Sequence, residues 1–149
     1  MRKIRVLHGP NLNLLKVREP SLYGNKSLDE INAGLIAQGE ELGLLVDCFQ
    51  SNAEHGCIEI IHQAHDAGVD AMVVNAGAFT HTSIAIRDAL LACEMTFIEV
   101  HLTNLAKREE FRHNSYLTDV ALGSIMGFGP YGYFLCLAAL KQHFEELII

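Results

Sequence analysis

Short apolar runs alternate with longer stretches whose apolar residues recur every three or four positions. "KIRVLH" (3–8), "LLVDCFQ" (44–50), "DAMVVN" (70–75) and "TFIEVH" (96–101) read as buried strands. "VALGSIMGFG" (120–129) reads as a fifth strand running into a Gly-rich turn. Between the strands lie helical patterns. In "SLDEINAGLIAQGEEL", Ser27 is expected to cap the helix, with Glu30 completing a capping box. "SNAEHGCIEIIHQAHDAG" is a helix stopped by Gly68. "TSIAIRDALLAC" is the third helix and "YGYFLCLAALKQHFEELI" the last. A polar segment, "LTNLAKREEFRHNS", separates the fourth and fifth strands.

Strand–helix alternation of this kind predicts an α/β domain, a parallel sheet covered on both faces. The 149 residues suit one domain (1–149). Five strands fit a flavodoxin-like order, 2-1-3-4-5, better than a six-strand dinucleotide fold. That order locates a site, because ligands of open α/β sheets bind beyond the carboxyl ends of the strands, near the switch point between strands 1 and 3. Three polar segments leave those ends: "GPNLNLLKVREPSLYG", "NAGAFTHTS" and "EVHLTN". Together they would gather Asn11, Arg18, Tyr23, Asn75, His81 and His101 above one sheet edge. The first loop, about 9–26, is long for a connection, and is expected to fold over the site as a lid.

Composition narrows the function. Half the residues are hydrophobic, ample for a core, and the net charge of −7 argues mildly against nucleic acid as a partner. No apolar run approaches the roughly 20 residues of a membrane span, and no signal-peptide pattern opens the chain, so a soluble, cytoplasmic protein is expected. The cysteines Cys48, Cys57, Cys93 and Cys136 have no C-x-x-C spacing and read as buried free thiols.

The chemistry follows partly by exclusion. No G-x-S-x-G nucleophile elbow, P-loop or G-x-G-x-x-G occurs. Asn75 stands where a phospho-acceptor aspartate would end the third strand, and no lysine ends a predicted strand. What remains is acid–base chemistry by Tyr and His, with Arg and Asn to hold anionic or hydroxylated groups. His62 and His65 share a helix face at a metal-compatible spacing, but no third ligand is evident and solvent-facing side chains are the simpler reading. His8 is placed to line the site; His55, His113 and His143 read as surface or structural groups.

"GPNLNLL…REPSLYG", "NAGAFTHTSIAIRDAL", "IEVHLTN" and "REEFRHNSYL" occur in order. With them the chain resembles the type II 3-dehydroquinate dehydratases from end to end. That resemblance implies a flavodoxin-like fold without metal or organic cofactor. It also implies conversion of 3-dehydroquinate to 3-dehydroshikimate and water by anti elimination through an enolate.

The resemblance also implies roles. Tyr23 would remove a proton from C2 of the substrate. An ordinary tyrosine pKa is about 10, and lowering it by ~2 units takes roughly 3 kcal/mol of differential stabilisation. Arg18 would supply that field, with Arg108 and Arg112 adding to it. Read from the loop alone, Tyr23 could equally be a half-buried loop aromatic and Arg18 a solvated charge. Asn11 would hold the enolate oxygen through a bound water; an Asx-turn or cap is the local alternative, compatible with that role. His101 would protonate the departing C1 hydroxyl. Glu99, two residues earlier on the same strand, can face the same way, orient the ring and favour its charged form. Asn75, His81 and Arg112 match substrate-binding positions, and Leu102 and Thr103 those that grip the carboxylate. Gly77 permits close backbone approach or an unusual dihedral.

Asp88 sits mid-helix, about two turns after His81 and ~10 Å from it along the helix axis, far for a shared contact. By itself it reads as a solvated carboxylate paired with a neighbouring Arg. The resemblance instead implies that it reaches an adjacent subunit's site, in trimers that assemble four together into a dodecamer. The apolar stretches "SIAI" and "ALLAC" around it could supply both a core face and a contact face. Three positions depart from the family pattern: Lys16 where glycine is common, Ala76 for a frequent proline, and Asn114 for histidine. A non-catalytic binding module for a cyclic polyol acid, or an enzyme acting on another hydroxy-acid ring, are the alternatives.

Overall fold

The computed structural model describes residues 1–17 and 26–146. Five strands, β1 (Arg2–His8), β2 (Leu44–Gln50), β3 (Ala71–Asn75), β4 (Phe97–His101) and β5 (Gly123–Met126), form one all-parallel sheet in the order β2-β1-β3-β4-β5. Four helices connect and close it: α1 (Leu28–Leu42), α2 (Glu54–Asp66), α3 (Ile84–Ala92) and α4 (Tyr131–Glu146). The expected flavodoxin-like order is therefore the observed one.

Side-chain alternation along the strands splits the core in two. Ile4, Val6, Ala71, Val73, Ile98 and Val100 pack on one face against α1 and α4, with Ile31, Leu35, Leu137 and Leu140 fully buried there. Leu7, Met72, Val74 and Phe97 pack on the other face against α2 and α3. Burying each such aliphatic side chain contributes roughly 2 kcal/mol. The same parity carries past the apolar run to the strand ends. His8 and Asn75 fall on the α1/α4 face, Glu99 and His101 on the α2/α3 face.

Helix ends follow local chemistry. Ser27 caps α1, its hydroxyl accepting from Glu30 N at 3.2 Å, and Ser83 caps α3, accepting from Ile86 N at 3.0 Å. Capping by Ser83 starts α3 at Ile84, and His81 ends a separate 3-10 turn, Gly77–His81, so no single helix joins His81 to Asp88. Gly68, with φ 69°, follows α2 as expected. The fifth strand is shorter than its apolar run. Residues Thr118–Val120 form a 3-10 turn instead, and Gly127 and Gly129 take φ 96° and 59° immediately afterwards. Cys57 and Cys136 are buried, whereas Cys48 and Cys93 are only partly so; all four are free thiols.

Candidate active site

β1, β3 and β4 end side by side, and a cavity of about 240 Å³ opens beyond their carboxyl ends. Of the residues singled out in the sequence, Asn11, Asn75, Gly77, His81, His101, Leu102, Thr103 and Arg112 line it. Arg108 lines it too. Glu99 and Asp88 do not: Glu99 lies behind His101, and Asp88 is exposed on α3. Arg18 and Tyr23 lie outside the described residues, as does most of the expected lid beyond Val17.

Two close backbone approaches shape the cavity floor. Gly9 follows β1, its N–H donating to Asn75 O at 2.7 Å, and a Cβ there would meet Ala76 O at 2.5 Å. Gly77 has φ 56°, and a Cβ would sit 3.3 Å from Pro10. Both the close approach and the unusual dihedral expected of Gly77 are present. Asn11 also lies in the left-handed region, φ 67°. Its N–H donates to Asn52 Oδ1 at 2.9 Å, but its side chain does not cap the following Leu12–Leu14 turn. The amide that lines the cavity is therefore not used as a local cap.

His101 is 4% exposed, and its Nε2 lies 2.7 Å from Glu99 Oε2. The Glu99 carboxylate is fully buried and enclosed by hydroxyls. Ser115 donates to Oε2 at 2.6 Å, Thr80 to Oε2 at 3.0 Å, and Thr118 to Oε1. Burial is the largest influence on Glu99 and opposes its charge. Hydrogen bonds from His101, Ser115 and Thr118, with the His101 charge, outweigh it and bring the pKa down to about 2. An ionised carboxylate only accepts, so His101 Nε2 carries a hydrogen toward Glu99 and Nδ1 is left for a ligand.

Basic groups also line the cavity. His81 Nδ1 lies 2.8 Å from Asn114 O, Arg112 Nε is paired with Glu109, and Arg108 Nη1 donates to Thr103 Oγ1 at 3.4 Å. With Arg108, Arg112 and the exposed face of His81, the cavity suits an anionic, hydroxylated ligand. Among the described residues no group of three or more His, Cys, Asp or Glu is placed to hold a metal ion.

The sequence profile of a family described as "Dehydroquinase class II" matches residues 2–141. The chain belongs to that family. It is 55% identical over 145 residues to the 3-dehydroquinate dehydratase of Legionella pneumophila (strain Corby), covering 97% of this chain and all of that one. To the 3-dehydroquinate dehydratase of Methylococcus capsulatus (strain ATCC 33009 / NCIMB 11132 / Bath) it is 56% identical over 142 residues, covering 95% and 96% of the two chains. Among solved structures, the type II dehydroquinase from Propionibacterium acnes superposes with a TM-score of 0.91 at 44% identity, covering 95% of this chain and 97% of that one.

Within this class II dehydroquinase, the departures from the family pattern take simple positions. Asn114 meets His81 through its backbone carbonyl, so the side-chain change leaves that contact intact. Ala76 has φ −76°, a dihedral that proline also adopts. Lys16 is exposed. His8 corrects the sequence reading: it is fully buried and is not among the described residues that line the cavity. The hydroxyls around Glu99 were not singled out in the sequence, although Thr80 and Ser115 lie within the motifs "NAGAFTHTS" and "REEFRHNSYL".

Proposed function

We propose that the cavity is the active site of a cofactor-independent 3-dehydroquinate dehydratase. What carries the reading is the pairing of His101 with an ionised Glu99 at the edge of a cavity whose other polar lining includes the amides of Asn11 and Asn75 and the cations Arg108 and Arg112. Such a set suits a ring acid with several hydroxyls, because its polar groups would be left unpaired by less hydroxylated analogues. The named relatives act as 3-dehydroquinate dehydratases, and their similarity spans nearly the whole chain.

In this reaction Tyr23, as phenolate, takes the C2 proton, and an enolate forms with its charge on the C3 oxygen. Asn11 holds that oxygen through a water. His101 delivers its Nδ1 proton to the C1 hydroxyl, which departs as water while the C1–C2 double bond forms. Glu99 holds the ring so that Nδ1 faces the substrate. Arg18 stabilises the phenolate and the charge of the transition state. Asn75, His81 and Arg112 bind hydroxyl and carboxylate groups, Gly77 shapes the floor, and Leu102 N–H with Thr103 grips the carboxylate. No step draws on a metal or an organic cofactor.

The same reading makes the protein a single cytoplasmic domain with a lid at about 9–26, working as a homo-oligomer. Asp88 would act in trans within trimers, four of which make a dodecamer. Ile84 and Leu91, 55% and 49% exposed on the Asp88 helix, give that helix apolar surface outside the core. No helix among the described residues is long and apolar enough to cross a membrane.

The deciding assay follows absorbance of the conjugated enone after adding 3-dehydroquinate. Growth of that band, unaffected by chelators, is expected. Borohydride added with substrate should leave activity intact, and a covalent adduct trapped by reduction would overturn the enolate route in favour of an imine.

A further inference from the structure

Next to the cavity, four side chains from different elements form a hydrogen-bonded row that is buried except at Asn32. His8 ends β1, Asn32 lies on α1, Asn75 ends β3 and Tyr133 lies on α4. His8 Nε2 is 2.7 Å from Asn32 Oδ1, His8 Nδ1 is 2.8 Å from Tyr133 OH, and Asn75 Nδ2 donates to that same hydroxyl at 2.9 Å. Asn75 Oδ1 accepts from Gly77 N at 3.1 Å. His8 and Tyr133 are wholly buried, and Asn75 is 3% exposed.

The directions of these bonds are determined. Burial lowers the His8 pKa to about 4, so the ring is neutral at physiological pH and carries one hydrogen. Asn32 Oδ1 can only accept, which places that hydrogen on Nε2 and makes Nδ1 an acceptor. Tyr133 therefore gives its single hydrogen to His8, and its oxygen can only accept from Asn75. On the other side of Asn75 the Gly77 N–H can only donate. Both neighbours demand the same amide orientation: Oδ1 toward Gly77, Nδ2 toward Tyr133. The second Nδ2 hydrogen has no partner among the described residues, and Asn75 lines the cavity.

The geometry points to Tyr133, backed by His8, as a positioning residue that locks Asn75 as a hydrogen-bond donor to the substrate. This rests on the dehydratase reading for the identity of the ligand. A locked donor recognises an acceptor oxygen, a hydroxyl or carboxylate, and discriminates against a ligand without one. Tyr133 and His8 never touch the ligand; they remove the alternative amide flip. Without the Tyr133 hydroxyl only Gly77 holds the amide, and Nδ2 faces a buried site that no longer accepts.

A double-mutant cycle on 3-dehydroquinate tests the coupling. Tyr133→Phe keeps the ring and is expected to raise KM about five-fold or more with kcat changed by less than about three-fold. Asn75→Ala should raise KM at least as much, and adding Tyr133→Phe to it should cost nothing further. A role in stability alone would lower Tm while leaving KM unmoved, or would add in full to Asn75→Ala, and either result overturns the proposal. If Tyr133→Phe does not fold, His8→Phe enters the same cycle with the same expectations. In the wild-type protein, nitrogen-15 NMR at neutral pH should show His8 protonated at Nε2 and bare at Nδ1. A hydrogen on Nδ1 would sink the relay. That spectrum needs no substrate, so it stands even if the wild type fails to turn over 3-dehydroquinate, a result that would overturn the dehydratase reading instead.

Discussion

Glu99 Oε2 lies 2.7 Å from His101 Nε2, and hydroxyls of Thr80, Ser115 and Thr118 surround the same carboxylate. A buried charge is stable only when its lone pairs are satisfied. Here donors from three segments of chain satisfy them, so the carboxylate is a fixed acceptor, and the ring it holds cannot turn its Nδ1 away from the cavity without losing that bond.

Glu99→Gln keeps the shape and removes the charge. The amide offers His101 either a neutral oxygen or an N–H that repels Nε2–H, and it places two hydrogens among groups that now donate. Turnover should fall by about 10- to 100-fold, the range of a misplaced general acid, with KM little changed. Steady-state kinetics on 3-dehydroquinate decides this. Turnover within two-fold of wild type would mean that the carboxylate does not act through His101.

Two buried groups make folding sensitive to acid, in successive windows. His8 is held neutral by burial, its pKa lowered from 6.5 to about 4. Between those values the unfolded chain binds a proton that the folded chain refuses, so stability falls as pH drops from about 6.5 to 4. Glu99 is depressed from 4.5 to about 2. Its contribution is complete above about 4.5 and is lost as pH falls toward 2. Urea denaturation across pH 3 to 7 should therefore show stability declining steadily on the acid side. His8→Phe should flatten the part between about 6.5 and 4 and leave the lower part. An unchanged upper slope would show that His8 is not the group responsible.

The sheet order and the strand boundaries were legible because apolar alternation and helix capping are local signals. The five strands are within a few residues of their runs, and the Glu99–His101 pair follows from a spacing of two on one strand. The shell around the pair was not legible. Thr80, Ser115 and Thr118 stand 16 to 19 residues from Glu99, and Tyr133 stands 58 from Asn75. Only the folded chain makes them neighbours. His8 shows how a strand-end position misleads: the last residue of a strand can point into the layer below the cavity as readily as into the cavity, and parity with Ile4 and Val6 puts it in the layer below. The single 3-10 turns lack the length for periodicity to register.

Gly77→Ala is expected to damage both stability and binding. Its φ of 56° disfavours any side chain, and the added Cβ would press on Pro10 at 3.3 Å. The backbone penalty is about 1–2 kcal/mol. Relief would move the Gly77 N–H off Asn75 Oδ1 and widen the floor, so KM should rise with the loss of Tm. A variant with wild-type Tm and KM would show that the loop relaxes without cost.

Asp88 offers the sharpest test of assembly. Arg87, its neighbour, is bonded to Asp119 and to Tyr116 O; the Asp88 charge also favours the charged form of Arg87, but among the described residues Asp88 makes no close ion pair with it. Asp88 is exposed and is not among the described residues that line its own chain's cavity. Beside it on α3, Ile86, Ala89 and Leu90 pack inward while Ile84 and Leu91 remain exposed. One helix thus has a core face and a second apolar surface, as a subunit contact requires. If Asp88 serves a neighbouring subunit, Asp88→Ala and Tyr23→Phe proteins are each weak alone but complementary. Tyr23→Phe should reduce turnover by at least ~10²-fold, since only the phenol oxygen is lost. Unfolded together and refolded, the two should form mixed oligomers in which some sites join an intact Tyr23 from one chain to an intact Asp88 from another. Activity well above that of the two separately refolded samples is the expected outcome. Proven subunit mixing without recovery, or a fully active monomer by light scattering, would place Asp88 outside the chemistry.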